Sequence, residues 1–173
     1  RLLEVEPEDY NFVMDTNLRG AFFVAQAVGR RMVARAKAAP DPSKMPWQRI
    51  INIASAHGLV ASPFKSAYVA AKHGVLGLTK AAALELAETL VTVNSICPGF
   101  VDTPLVRGQI ADQAKVNNMT EADVVKNIIL ASQPTKRFIT ADQVAEMALF
   151  LCTDAASGIT GTAFSIGGGG TAR

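Results

Sequence analysis

The chain has 173 residues, 49% of them hydrophobic and 18% charged, with a formal net charge of +2. That length supports one compact core, and the near balance of charge excludes the electrostatic footprint of a nucleic-acid binder or of a strongly acidic partner. No apolar run has the length of a membrane span and no signal peptide opens the chain, while two cysteines fit buried thiols of a reducing compartment better than a disulfide or a metal site, so a cytoplasmic protein with no metal is expected.

In chain order, a helix is predicted from about Pro7, a favourable first-turn residue, to Ala38. Asn17 lies inside it, and Arg30, Arg31, Arg35 and Lys37 read as its solvated face. The Pro-rich polar segment from Ala39 to Pro46 is a surface loop. Arg49 to Ala54 is an apolar run that reads as a buried strand, delivering Ser55 to the carboxyl edge of a sheet. Through Ala56, His57 and Gly58 the chain reaches an alanine-rich helix from about Ser66 to Glu88, with apolar residues on more than one face. Such a helix is buried on several sides, against its own core or a partner subunit.

A second apolar strand, Val91 to Cys97, ends in Pro98 and Gly99, where the chain can approach a ligand closely. Polar helical stretches follow at about Leu105 to Lys115 and Thr120 to Ala131. A helix from Thr140, a plausible N-cap, to Cys152 precedes the last strand, Ala163 to Ile166. Strands alternating with helices predict an α/β fold with a parallel sheet. The glycines Gly167 to Gly170 follow that strand and open no helix, so they are not a pyrophosphate cradle.

Tyr68 and Lys72 are four residues apart on the predicted helix and share a face, so the Lys72 charge can favour phenolate over phenol at Tyr68. The same spacing also suits a ring packed under an aliphatic stem. His57 lies two residues beyond Ser55, Lys65 lies one helical turn before Tyr68, and Gln109 sits on the stretch able to close over the same place as a lid. A lysine with neutral imidazole and amide donors makes a good carboxylate site, because charge-assisted hydrogen bonds are the stronger ones. An anionic small substrate is expected.

These segments, in this order, resemble the short-chain dehydrogenase/reductase family over almost the whole chain. The resemblance implies a Rossmann-like, doubly wound parallel sheet, of which residues 1–173 make a single partial domain with the C-terminal three strands and their helices. It implies a tetrad of Asn17, Ser55, Tyr68 and Lys72: Tyr68 as general acid/base, Ser55 orienting the substrate oxygen, Lys72 acting on Tyr68 and the nicotinamide ribose, and Asn17 holding a proton-relay water. Pro98, Gly99, Val101 and Thr103, with Tyr68 and Lys72, then line an NAD site, NADP being the alternative. The segments Ile50 to Tyr68 and Leu130 to Phe138 narrow the resemblance to members that oxidise (R)-3-hydroxybutyrate, with Ser55, His57, Lys65, Tyr68 and Gln109 around the substrate. In those members Trp stands where this chain has Phe100 and Gly170, which leaves room for a larger 3-hydroxy acid. The resemblance also implies a homotetramer.

The glycine-rich turn and acidic residue of a dinucleotide half are not found, so the sequence reads as a fragment or truncation whose missing part carries that half. Two further readings stay open: a reductase of a 3-oxoacyl thioester, and a non-catalytic remnant serving only subunit assembly.

Overall fold

The computed structural model describes residues 1–41 and 44–172, so Pro42 and Ser43 of the predicted loop lie outside the described residues. Three parallel strands, β1 (Gln48–Ile53), β2 (Val91–Pro98) and β3 (Ala163–Ile166), stand in the order β1-β2-β3, with Ile50 opposite Val93 and Ile96 opposite Phe164. The alternation of strands and helices predicted this sheet, and β3 has the boundaries read from the sequence.

Side chains alternate across β2. Val91, Val93 and Cys97 face α2 (Gly20–Ala38) and α3 (Ser66–Glu85), packing with Ala25, Val75 and Ala83. Ile96 points the other way, into a cluster with Leu151, Val144 and Met147 on α6 (Ala141–Leu151). All eight β2 residues are buried, as a strand covered on both faces by helices requires. Each fully buried Val or Ile contributes about 1.5–3 kcal/mol relative to exposure.

The Asn94 side chain fastens the segment that leads into β3. Its amide donates to the Ile159 carbonyl at 2.7 Å, and its carbonyl accepts the Thr162 N–H at 3.1 Å. Thr140 caps α6 through a reciprocal capping box with Gln143, as its residue type predicted.

Four expectations are corrected. The first helix is not uniform: α1 (Pro7–Met14) passes into a π-helical turn, Asp15–Arg19, before α2. The Asn17 amide donates to the Val13 carbonyl at 3.0 Å, and such local bonds compete with the regular ladder. The stretch after Thr120 is likewise split, into the single α-turn α5 (Glu121–Val124) and a π turn, Val125–Ile129. β1 is an edge strand among the described residues, and Ile53 is 54% exposed, so this run is only half-buried. Cys152 is exposed at the end of α6, where the preceding Leu151 takes the buried position, whereas Cys97 is buried as expected.

Candidate active site

The strands end at the same edge of the sheet, and the proposed site residues collect there. Ser55 follows β1 in an extended conformation, and its Oγ accepts the His57 N–H at 3.1 Å, which starts the tight turn Ala56–Gly58. That turn lies directly on α3. A Cβ at Gly58 would stand 2.9 Å from the Lys72 carbonyl oxygen and 3.2 Å from Leu76, so only glycine permits the approach.

Lys65 is the N-cap residue of α3, Tyr68 follows in its first turn, and Lys72 lies one turn further. Lys72 Nζ stands 5.5 Å from the centroid of the Tyr68 ring and donates a long bond, 3.4 Å, to the Ile53 carbonyl at the end of β1. Burial holds the Lys72 ammonium below the usual lysine range, opposed by the neighbouring Cys97 sulfur. The His57 ring meets Tyr68 edge-on, with centroids 5.9 Å apart and planes at 72°. His57 Nε2 pairs with Ser62 Oγ at 2.9 Å. Burial, and then the Lys65 charge, hold His57 below the ordinary imidazole value.

β2 supplies the facing wall. At its end the Gly99 N–H donates to Ile166 of β3 at 2.9 Å, and the Phe100 N–H donates to Gln133 Oε1 at 3.2 Å. Gln133 Nε2 donates in turn to the Arg137 carbonyl, so one buried amide ties this wall to the turn that follows the Val125–Ile129 segment. A Cβ at Gly99 would stand 2.6 Å from Gln133 Oε1. Thr103 caps α4 (Pro104–Asn117), accepting the Val106 N–H at 3.4 Å, and α4 carries Gln109 over the site. Lys65 Nζ lies 5.8 Å from the Phe100 ring centroid.

One cavity of about 620 Å³ gathers Ser55, His57, Lys65, Tyr68 and Gln109 with Pro98, Gly99, Val101 and Thr103. Asn17 and Lys72 are not in its lining: Lys72 stands behind Tyr68, and Asn17 is linked to the site through Val13, whose carbonyl it holds and which does line the cavity. Sequence reasoning missed Gln133 and Gly58. Nothing in a polar turn marks Gln133 as 2% exposed, whereas a glycine directly after the candidate His57 was a usable signal for close approach. Among the described residues there is no cluster of His, Cys, Asp or Glu able to hold a metal ion, and no helix is long and apolar enough to cross a membrane.

A parallel α/β sheet with a Ser, a Tyr and a Lys converging at its carboxyl edge defines a class. The chain belongs to the short-chain dehydrogenase/reductase family, and a family model described as enoyl-(acyl carrier protein) reductase matches residues 1–171. It is 54% identical over 166 residues to the D-beta-hydroxybutyrate dehydrogenase of Rhizobium meliloti, an alignment covering 96% of this chain and 60% of that protein. Among solved structures it is similar to a variant of actinorhodin polyketide ketoreductase with NADPH, at a TM-score of 0.86 and 32% identity over 100% of this chain and 63% of that one. It is also similar to 4-hydroxyisoleucine dehydrogenase complexed with NADH, at a TM-score of 0.81 and 30% identity, over 99% of this chain and 63% of that one. The chain thus spans about 60% of the length of the curated relatives it matches.

Proposed function

We propose that these residues form the catalytic part of an NAD-dependent dehydrogenase that oxidises (R)-3-hydroxybutyrate to acetoacetate. The observation that carries the reading is the meeting of Tyr68 and Ser55 with His57, Lys65 and Gln109 in one cavity. The first pair suits a hydroxyl, and the other three suit a carboxylate on the same small molecule. The name of the relative from Rhizobium meliloti agrees with this substrate.

Tyr68 accepts the proton of the substrate hydroxyl as the carbonyl forms. Ser55 donates to the same oxygen, and Lys72 keeps positive charge behind the ring. Gln109 and His57 offer neutral donors to the carboxylate, while Lys65 supplies its counter-charge. Asn17, by holding Val13, supports the cavity wall, and a proton-relay water beside it belongs to this reading.

The wall of Pro98, Gly99, Val101 and Thr103 suits a flat nicotinamide ring. Its backbone is drawn so close to Gln133 that no side chain fits at Gly99. Lys72 makes one long bond and retains donor capacity for a ribose hydroxyl. When bound, the nicotinamide supplies the hydride acceptor. NAD rather than NADP is part of the proposal, as is a homotetramer, which the exposed Phe22, Phe23 and Leu84 on α2 and α3 support. The thioester reading is disfavoured by Lys65 and His57, since a thioester has no carboxylate to occupy them.

Titration of the chain with (R)-3-hydroxybutyrate and with its methyl ester, followed by the resonances of His57 and Tyr68, tests the carboxylate reading. The acid is expected to shift His57 and the ester is not; equal shifts from both would remove the basis for the substrate assignment.

A further inference from the structure

Tyr68, Lys72 and Thr79 share one face of α3, since separations of seven and eleven residues return to within about 20° of the same direction on a helix. Thr79 is buried on the sheet side, and its Oγ has three partners. It donates to the Val75 carbonyl at 2.8 Å, lies 2.9 Å from the Asn52 amide nitrogen, and lies 2.7 Å from Ser95 Oγ. The carbonyl only accepts and the amide nitrogen only donates. The single Thr79 proton therefore goes to Val75, and the Ser95 hydroxyl donates to Thr79. Its oxygen is then saturated: one bond given, two received.

The two donors are themselves linked, because Asn52 on β1 and Ser95 on β2 are register partners across the sheet. Three residues further on each strand the chain reaches Ser55 and Pro98, where the cavity wall begins. One hydroxyl thus joins the helix carrying Tyr68 to both strands that carry the groups opposite it. The apolar contacts beneath α3, through Val75, Leu76 and Ala83, are non-directional and tolerate sliding, whereas hydrogen bonds fix distance and angle.

We propose that Thr79 is a positioning residue that sets the height and rotation of α3 against β1 and β2, and so places Tyr68 relative to Ser55 and His57. Its importance for catalysis rests on the function proposed for Tyr68; its effect on geometry does not. A misplacement of about 1 Å at a reacting group can cost on the order of a hundredfold in rate.

Thr79→Val keeps the side-chain shape and removes the hydroxyl, whereas Thr79→Ser keeps the hydroxyl. The readout is the ring contact of His57 and Tyr68, followed in the full chain as nuclear Overhauser cross-peaks. Tyr10, the only other tyrosine, is the internal control. Thr79→Val is expected to reduce the Tyr68 cross-peaks by more than half while Tyr10 stays unchanged, and Thr79→Ser is expected to retain them. A folded Thr79→Val chain with unchanged cross-peaks, even one that melts earlier, overturns the proposal. Should Thr79→Val not fold, Ser95→Ala deletes one partner without leaving an unpaired donor. A smaller loss of the same cross-peaks is then expected, and no loss overturns the proposal. An altered ring contact in Thr79→Val, together with a parent chain that shows no dehydrogenase activity, would support the positioning role and count against the proposed reaction, so the two outcomes separate.

Discussion

Lys72 Nζ lies 5.5 Å from the centre of the Tyr68 ring, held there by one helical turn of α3 and by a bond to the end of β1. The charge is bound to both elements that build the site, and it is partly withdrawn from water.

Replacing Lys72 tests the effect of that withdrawal. Burial lowers the folded-state value below that of the unfolded chain, so the folded protein binds fewer protons between the two. Stability is then greatest above the unfolded lysine value, falls as pH drops through the window down to the lowered folded value, and is flat below it. Lys72→Met is expected to remove this slope, so melting curves of variant and parent should differ more at pH 8 than at pH 11. A constant difference would contradict it.

His57 gives a second pH effect. Its folded value also lies below the unfolded one, so stability is lost as pH falls from about 6.5 through that lowered value. A carboxylate ligand supplies the counter-charge that burial and Lys65 deny. Binding of 3-hydroxybutyrate is therefore expected to raise the His57 value, to take up protons and to tighten as pH falls through that window. The check is a His57 titration by nuclear magnetic resonance with and without ligand, and an unchanged midpoint would show that His57 does not face the carboxylate.

The spacing of Ser55, Tyr68 and Lys72 was legible in the sequence because one helix and one strand end determine it. The start of α3 at Ser66 and the limits of β3 were legible for the same reason, being set by local pattern. The π turn at Asp15–Arg19 was not, because it is a shift in backbone pairing within a run whose residue pattern stays helical. Nor was the place of Gln133, whose partners at Phe100 and Arg137 are assembled only by the tertiary fold. The exposure of Ile53 was hidden because an apolar run reads alike in an edge strand and a central one.

Lys65 is expected to act on binding rather than on chemistry. Lys65→Met should raise KM for the acid by about 10–100-fold, from loss of one charge-assisted bond of about 1.5–3 kcal/mol, with kcat changed far less. Steady-state kinetics on the acid and its methyl ester would check it, since the ester should be indifferent to the substitution.

Gly58→Ala is expected to destabilise the chain by about 1–3 kcal/mol, because the new Cβ would meet the Lys72 carbonyl at 2.9 Å, a backbone atom that cannot swing aside. Chemical denaturation measures the loss. A variant as stable as the parent would mean that the turn after Ser55 is not held against α3.

The most direct test of the whole account is NAD reduction by (R)-3-hydroxybutyrate, followed at the nicotinamide absorbance, for the chain and for Tyr68→Phe. Loss of the phenolic proton acceptor is expected to lower kcat by about 10²–10⁴-fold while the fold is unchanged. Equal rates for the two proteins, or no reduction by well-folded parent chain, would contradict the claim that these residues form a working dehydrogenase site.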